Sequence, residues 1–111
     1  MPNPLSVNEA LDRIDELAGS DICVRGILSF EFEDVSITHL PRAERRDGES
    51  SSIWLSTGHG ALGFEHETCK SLSGKIVVVE GTLLKPEQPF DGCGHMSLWP
   101  AELMARTLER E

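Results

Sequence analysis

One five-residue pattern, V-x-G-x-L, occurs twice in this chain, at residues 24–28 and at residues 79–83. Each copy lies in a segment whose apolar and β-branched side chains favour a β-strand. Glycine weakens the middle of a strand unless the backbone bends sharply there or a neighbouring backbone comes very close. A small, tightly coiled barrel needs such bends at its corners. The two glycines, Gly26 and Gly81, therefore predict a closed barrel of strands.

Five segments of the chain predict the strands of this barrel. Residues 21–32 alternate between an apolar and a polar face, and residues 35–40 follow them after a turn, which predicts a hairpin. Residues 52–57 form the third predicted strand. Residues 75–84 are apolar on both faces, which favours a central strand covered on both sides. The fifth strand is predicted to begin within residues 96–99.

The chain beyond Pro100 fits two different structures. Ala101 and Leu108 have helical spacing, with Pro100 at the first position of that helix. Leu103 and Ala105 fit a continued strand equally well. We favour the strand, interrupted by a bulge at Pro100.

An N-terminal helix is predicted over residues 6–18. Ser6 and Glu9 have the S-x-x-E spacing of a capping box, and Gly19 suits the left-handed conformation that ends many helices. The apolar side chains that follow the cap recur at helical spacing: Ala10, Leu11, Ile14 and Leu17. A second, shorter helix is predicted within residues 64–72.

These elements resemble the OB-fold, a five-stranded Greek-key barrel. Three motifs carry the resemblance: the pattern at residues 24–28, LSGKIVVVEG at residues 72–81, and GHMSLW at residues 94–99. They look like motifs of small OB-fold proteins related to the anticodon-binding type, and the resemblance covers residues 21 to about 103. It implies a mainly β, OB-fold-like five-stranded barrel over about residues 21–105, with the N-terminal helix as an addition.

Length and charge exclude several classes of protein. The 111 residues fit a single domain, residues 1–111, which at this size can bury a core of its own. No apolar stretch approaches the roughly 20 residues that a membrane span needs. With 19 acidic and 10 basic side chains, the net charge of −9 repels phosphate backbones and anionic lipids. We therefore expect no membrane partner, and general nucleic-acid binding is disfavoured.

The cysteines indicate the compartment. Three of them, Cys23, Cys69 and Cys93, cannot all pair with one another. No secretion signal opens the chain, so a disulfide-held secreted protein is not expected. The sequence therefore predicts a reduced protein of the cytoplasm.

Two tryptophans and three arginines are the residues expected to contact a partner: Trp54, Trp99, Arg42, Arg45 and Arg46. Ile53 and Leu55 share one face of the third strand, so Trp54 lies outside the barrel if they belong to its core. An exposed tryptophan there would be a hot spot for a protein partner. The alternative is that Trp54 packs under the N-terminal helix or the long loop, while Trp99 fills an end of the barrel.

The three arginines lie in a charged loop predicted over residues 42–51. Glu44, Asp47 and Glu49 nearly neutralise them. Because binding to a phosphate backbone needs a net positive surface, a solvated loop is favoured over a phosphate clamp.

The remaining histidines and cysteines do not form a recognised site. The candidate zinc ligands His66, Cys69, Cys93 and His95 lack the paired spacing of structural zinc and would have to meet across the fold. Cys93 beside His95 also suggests a thiol nucleophile, but side chains two positions apart on a strand stand about 7 Å from each other. We expect no catalytic residue, no bound metal and no cofactor.

The sequence thus predicts a non-enzymatic, cytoplasmic OB-fold binding module whose partner is a protein. Two alternatives stay open. Single-stranded nucleic acid could bind across the barrel face and the loop at residues 42–51, with Phe30, Phe32 or Trp54 stacking on bases. A metal or thiol site could instead form at Cys93 and His95.

Overall fold

A computed structural model describes residues 3–31, 34–48, 50–56, 66–86, 92–93 and 98–111. The strands in these ranges are β1 (Leu5–Ser6), β2 (Asp21–Glu31), β3 (Asp34–Thr38), β4 (Ser52–Ser56), β5 (Ile76–Leu84) and β6 (Glu102–Arg110). The helices are α1 (Val7–Asp12), α2 (Ile14–Leu17) and α3 (His66–Leu72), and a 3₁₀ turn spans Arg42–Glu44.

The strands form one sheet that closes on itself. Their order is β1-β2-β3-β4-β6-β5, and β2 also pairs with β5. Strands β2, β3 and β4 form an antiparallel meander, β4 and β6 run parallel, and β5 is antiparallel to both β6 and β2. The protein is therefore mainly β, and its five longer strands make a ring to which the short β1 is added beside β2.

The inside of the ring holds the hydrophobic core because alternate side chains of each strand point inward. The buried apolar residues of the ring are Ile22, Val24, Leu28, Ile37, Ile53, Leu55, Val77, Val79, Leu83, Leu103 and Ala105. Helix α1 adds Val7 and Ala10 to the same cluster. The core therefore ties the N-terminal helix to the ring.

Gly26 and Gly81 lie where neighbouring backbone leaves no room for a side chain. A Cβ atom at Gly26 would lie 2.5 Å from the carbonyl oxygen of Thr38. A Cβ atom at Gly81 would lie 2.9 Å from Cα of Ala105 and would press even more closely on the carbonyl oxygen of Met104. The prediction that both glycines permit a close approach of backbones is confirmed.

The chain beyond Pro100 is a strand, β6, and the alternative helix is wrong. The bulge predicted at Pro100 is also wrong, because Pro100 precedes β6. The β5–β6 register shifts between Glu80 and Gly81, which leaves Arg106 as the extra residue of a β-bulge. The bulge thus forms opposite the glycine, where the two backbones approach most closely.

The N-terminal helix begins as predicted but is interrupted. Ser6 Oγ accepts a hydrogen bond from the Glu9 backbone N–H at 3.1 Å, and Gly19 has a φ of +86°. The continuous helix predicted over residues 6–18 is wrong, because Arg13, at φ −104° and ψ 20°, separates α1 from α2. The Glu9 carboxylate lies 3.4 Å from the Arg13 guanidinium, on the turn where the helix breaks.

The strand predicted over residues 75–84 has two partners, β2 and β6, as a central strand should. The strand was predicted to be covered on both faces, but the two faces differ in burial. Val77 and Val79 are buried, whereas Ile76 and Val78 on the other face are only half-buried. Strand β1 was not predicted. The predictions for Phe32 and for residues 94–97 fall outside the described residues.

None of the helices in the described ranges is long and apolar enough to cross a membrane.

Replacing Gly81 by valine tests the packing between β5 and β6. Valine is the better strand former, but its Cβ would press on the Met104 carbonyl. We expect Gly81→Val to lower the free energy of unfolding by about 1–3 kcal/mol in denaturant titrations. Thr107→Val, at an exposed position of β6, is the control and should change it by less than about 0.5 kcal/mol. An unchanged or raised midpoint for Gly81→Val would contradict the close approach.

Candidate functional site

Trp54 and Trp99 pack against each other on the outside of the ring. Ile53 and Leu55, the neighbours of Trp54 in β4, are buried in the core, so Trp54 points outward. The two ring centroids lie 4.9 Å apart with an angle of 56° between the planes, a tilted arrangement that aromatic pairs favour. The Trp99 indole N–H donates a hydrogen bond to Ser52 Oγ at 3.1 Å. Trp99 is buried and Trp54 half-buried, so Trp54 is the one that reaches solvent.

Backbone hydrogen bonds fix the position of Trp99. It exchanges two of them with Cys93, at 2.7 and 3.1 Å. Two residues later, the Ala101 carbonyl accepts a hydrogen bond from the Trp54 backbone N–H at 3.1 Å. Trp99 therefore covers the outer face of β4 instead of filling an end of the ring.

Strand β6 carries a carboxylate and an exposed thioether beside Trp54. In the parallel ladder, Trp54 lies opposite Glu102, and Ser56 lies opposite Met104. The leucines between them point into the core, so all four side chains point outward. The Ser56 hydroxyl donates to a Glu102 carboxylate oxygen at 2.7 Å. We call these four residues, Trp54, Ser56, Glu102 and Met104, the outer-face cluster.

The outer-face cluster includes an exposed apolar side chain, Met104. Among the described residues, the large hydrophobic side chains that are exposed are Leu98, at 53%, and Met104, at 38%. Leu98 directly precedes Trp99. Met104 and the half-buried Trp54 lie on the same outer face of β4 and β6. Apolar side chains grouped in this way, unlike scattered ones, indicate an interaction surface.

Glu102 differs from the acidic side chains that form salt bridges within the protein. Salt bridges to arginine or lysine are formed, within the described ranges, by Glu9, Asp12, Asp15, Glu16, Asp21, Glu80 and Glu111. Glu102 has the Ser56 hydroxyl as a partner but no cation in that part of the chain. It is half-buried, so its charge is less well hydrated than that of a fully exposed carboxylate.

The arginine loop is held against the N-terminal helix. Arg46 pairs with Asp12 at 2.9 Å, and this hydrogen bond lowers the pKa of Asp12 and raises that of Arg46. Arg45 Nε donates to the His39 carbonyl at 2.8 Å. Arg42 is exposed, and its side chain has no partner among the residues described. Two of the three arginines are thus engaged within the protein. In the described structure, none of the three forms a hydrogen bond with Trp54 or Trp99.

His39 is the buried side chain that joins this loop to α1. Its Nδ1 accepts the Asn8 backbone N–H at 3.1 Å, so the ring hydrogen lies on Nε2, which donates to the Glu44 carboxylate at 3.0 Å. The Asn8 side-chain amide donates to the Glu44 carbonyl at 2.9 Å, while Asn8 Oδ1 is buried without a partner in the described structure. His39 is therefore a core histidine whose two ring nitrogens are both engaged.

The candidate metal and thiol residues are only partly described. Cys69 is buried in α3, and burial raises the pKa of its thiol. Cys93 is buried where its backbone pairs with Trp99. His95 and the side chain of His66 lie outside the described residues. Among the residues that the structure describes, no group of three or more histidine, cysteine or acidic side chains could hold a metal ion.

Comparison of the chain with protein-family models finds no match, and comparison with curated proteins finds no similar sequence. The geometry of the outer-face cluster is therefore the basis for a functional proposal. Strand alternation predicted that Trp54 points outward. Glu102 and Met104 were not predicted as neighbours of Trp54, because their position depends on the parallel register of two strands far apart in sequence.

Fluorescence quenching distinguishes the two tryptophans. Trp54→Phe leaves the buried Trp99 as the only tryptophan, and Trp99→Phe leaves Trp54. We expect acrylamide to quench the Trp54→Phe protein markedly less, because Trp99 is buried and Trp54 is only half-buried. Equal quenching of the two variants, both shown to be folded by circular dichroism, would be incompatible with this arrangement.

Proposed function

We propose that this protein is a non-enzymatic, cytoplasmic OB-fold module that binds a protein partner through the outer face of β4 and β6. The observation that carries the proposal is the half-buried indole of Trp54 beside the exposed side chain of Met104. Tryptophan and methionine are enriched in protein interfaces, and tryptophan is among the most frequent hot spots. Because Trp99 supports the Trp54 ring from one side, that ring is already ordered before a partner arrives.

The strand connections support the OB-fold. Without β1, the ring runs β2-β3-β4-β6-β5 and returns to β2, with α3 between β4 and β5. OB-folds bind their ligands across the second and third strands of the barrel, which correspond here to β3 and β4. Trp54 lies on β4. The analogy with OB-folds supports this location of the proposed binding surface. The class of ligand has to be inferred from the side chains at that surface.

The state of the nucleophilic and basic side chains supports binding over catalysis. Burial raises the pKa of the Cys69 thiol, which disfavours its reactive thiolate form. Both ring nitrogens of His39 are engaged in hydrogen bonds that hold the loop. The three cysteines are buried and form no disulfide with one another, a state that a reducing cytoplasm maintains.

Selection of peptides from a random library displayed on phage, with the intact protein as bait, tests this proposal. Affinities of the selected peptides are then measured by fluorescence polarisation. We expect Met104→Asp to weaken their binding on the order of tenfold, because it places a charge in the centre of the apolar surface. The matched control is Thr107→Asp, which adds the same charge at an exposed position further along β6 and should leave binding unchanged. Peptides that bind wild type and Met104→Asp equally would refute the outer face as the site.

The alternative partner is single-stranded nucleic acid, and a titration with a labelled oligonucleotide tests it. Arg45 and Arg46 are engaged within the protein, which leaves Arg42 as the available cation of the loop. We expect no measurable binding at about 50 mM salt, where phosphate contacts are strongest. Binding that weakens steeply by about 200 mM salt and is lost in Trp54→Ala would instead establish the nucleic-acid function.

A further inference from the structure

A partner that covers Trp54 and Met104 must also cover Glu102. Glu102 lies directly opposite Trp54 in the β4–β6 ladder, and neighbouring strands are only about 4.8 Å apart. Met104 follows two positions later on the same face. Removing the last water from a half-buried carboxylate is unfavourable unless a cation or hydrogen-bond donors replace that water. A purely apolar partner would therefore leave a buried, unpaired charge in the middle of its interface.

We infer that the outer-face cluster recognises a cationic side chain of the partner, with arginine preferred, and that Glu102 is the residue that determines this specificity. The inference rests on the proposed protein-binding function and adds the chemistry of the partner to it.

The Ser56 hydroxyl prepares the carboxylate for this role. It donates to one oxygen of Glu102 at 2.7 Å, which orients the carboxylate and leaves the other oxygen without a hydrogen bond in the described structure. The free oxygen is therefore available to an incoming N–H donor. A charge-assisted hydrogen bond of this kind is stronger than one between neutral groups.

The flanking side chains suit the rest of an arginine. A guanidinium group can stack on the face of an indole while it pairs with a carboxylate, and Trp54 and Glu102 are adjacent in the ladder. Met104, whose side chain is flexible and polarisable, can cover the apolar stem of the arginine. Lysine can make the ion pair but not the planar stacking, which is why arginine is preferred.

The net charge of the protein cannot by itself direct a cationic side chain to Glu102. A charge of −9 attracts any cationic partner at long range, but it does not distinguish one acidic side chain from another. Seven of the fourteen acidic residues in the described ranges already pair with arginine or lysine of the protein itself. Glu102 combines half-burial, an ordered carboxylate and adjacent apolar surface, so recognition is concentrated there.

Nuclear magnetic resonance titrations of the ¹⁵N-labelled protein with two peptides test the inference. The probes are acetyl-Leu-Arg-Leu-amide and its citrulline counterpart, which has nearly the same shape but no charge. We expect the arginine peptide to shift the Trp54 indole N–H resonance and the citrulline peptide to bind on the order of tenfold more weakly. Glu102→Gln keeps the shape and the Ser56 partner but should abolish the preference for arginine.

Glu109→Gln is the matched control, since it removes one negative charge from an exposed position of the same strand. It should retain the preference for arginine. If wild type binds both peptides equally at the outer face, the protein-binding surface stands and cation recognition is refuted. If neither peptide shifts the resonances of the outer-face cluster, both proposals fail. An arginine preference that survives in Glu102→Gln would show that the overall charge is responsible and would also overturn the inference.

Discussion

The ring depends on two places where backbones come into contact without an intervening side chain. Strand β2 pairs with β5 up to Ile27 and with β3 from Ile27 onward, and Gly26 lies at this change of partner. Gly81 lies at the other place, opposite the bulge at Arg106. Each glycine lets the strand that contains it lie very close to the backbone of a neighbouring strand. The sheet can therefore curve enough to close around a core made by a short chain.

The register of β6 determines the geometry of the outer-face cluster. Residues Glu102 to Ala105 of β6 pair with β5 beyond the bulge, and three of them also pair with β4. Strand β6 pairs with β5 along one edge and with β4 along the other. A shift of its register on β5 would therefore shift its register on β4 by the same number of residues. Such a one-residue shift would turn Glu102 and Met104 to the other face of the strand. The pairing of Trp54 with Glu102 thus depends on the register of β6 on β5.

Much of the fold follows from local patterns, whereas most of the candidate site does not. Alternation predicted β2, β4 and the outward direction of Trp54, and the spacing of Ser6 and Glu9 predicted the start of α1. The bulge at Arg106 could not be predicted, because it arises from contact between two strands. The loop arginines show the same limit: their sequence reveals the charges but not the distant Asp12 that neutralises Arg46.

In the proposed complex, long-range attraction and local recognition are carried by different groups of acidic residues. Exposed carboxylates, whether paired or not, contribute to the potential that accelerates encounter, and salt screens that contribution. Glu102 is partly shielded from solvent by its neighbours, so an ion pair formed there is screened less. The overall charge should then mainly influence how fast a cationic partner arrives. The apolar contacts of Trp54 and Met104, together with the pairing of Glu102, should determine how long that partner stays.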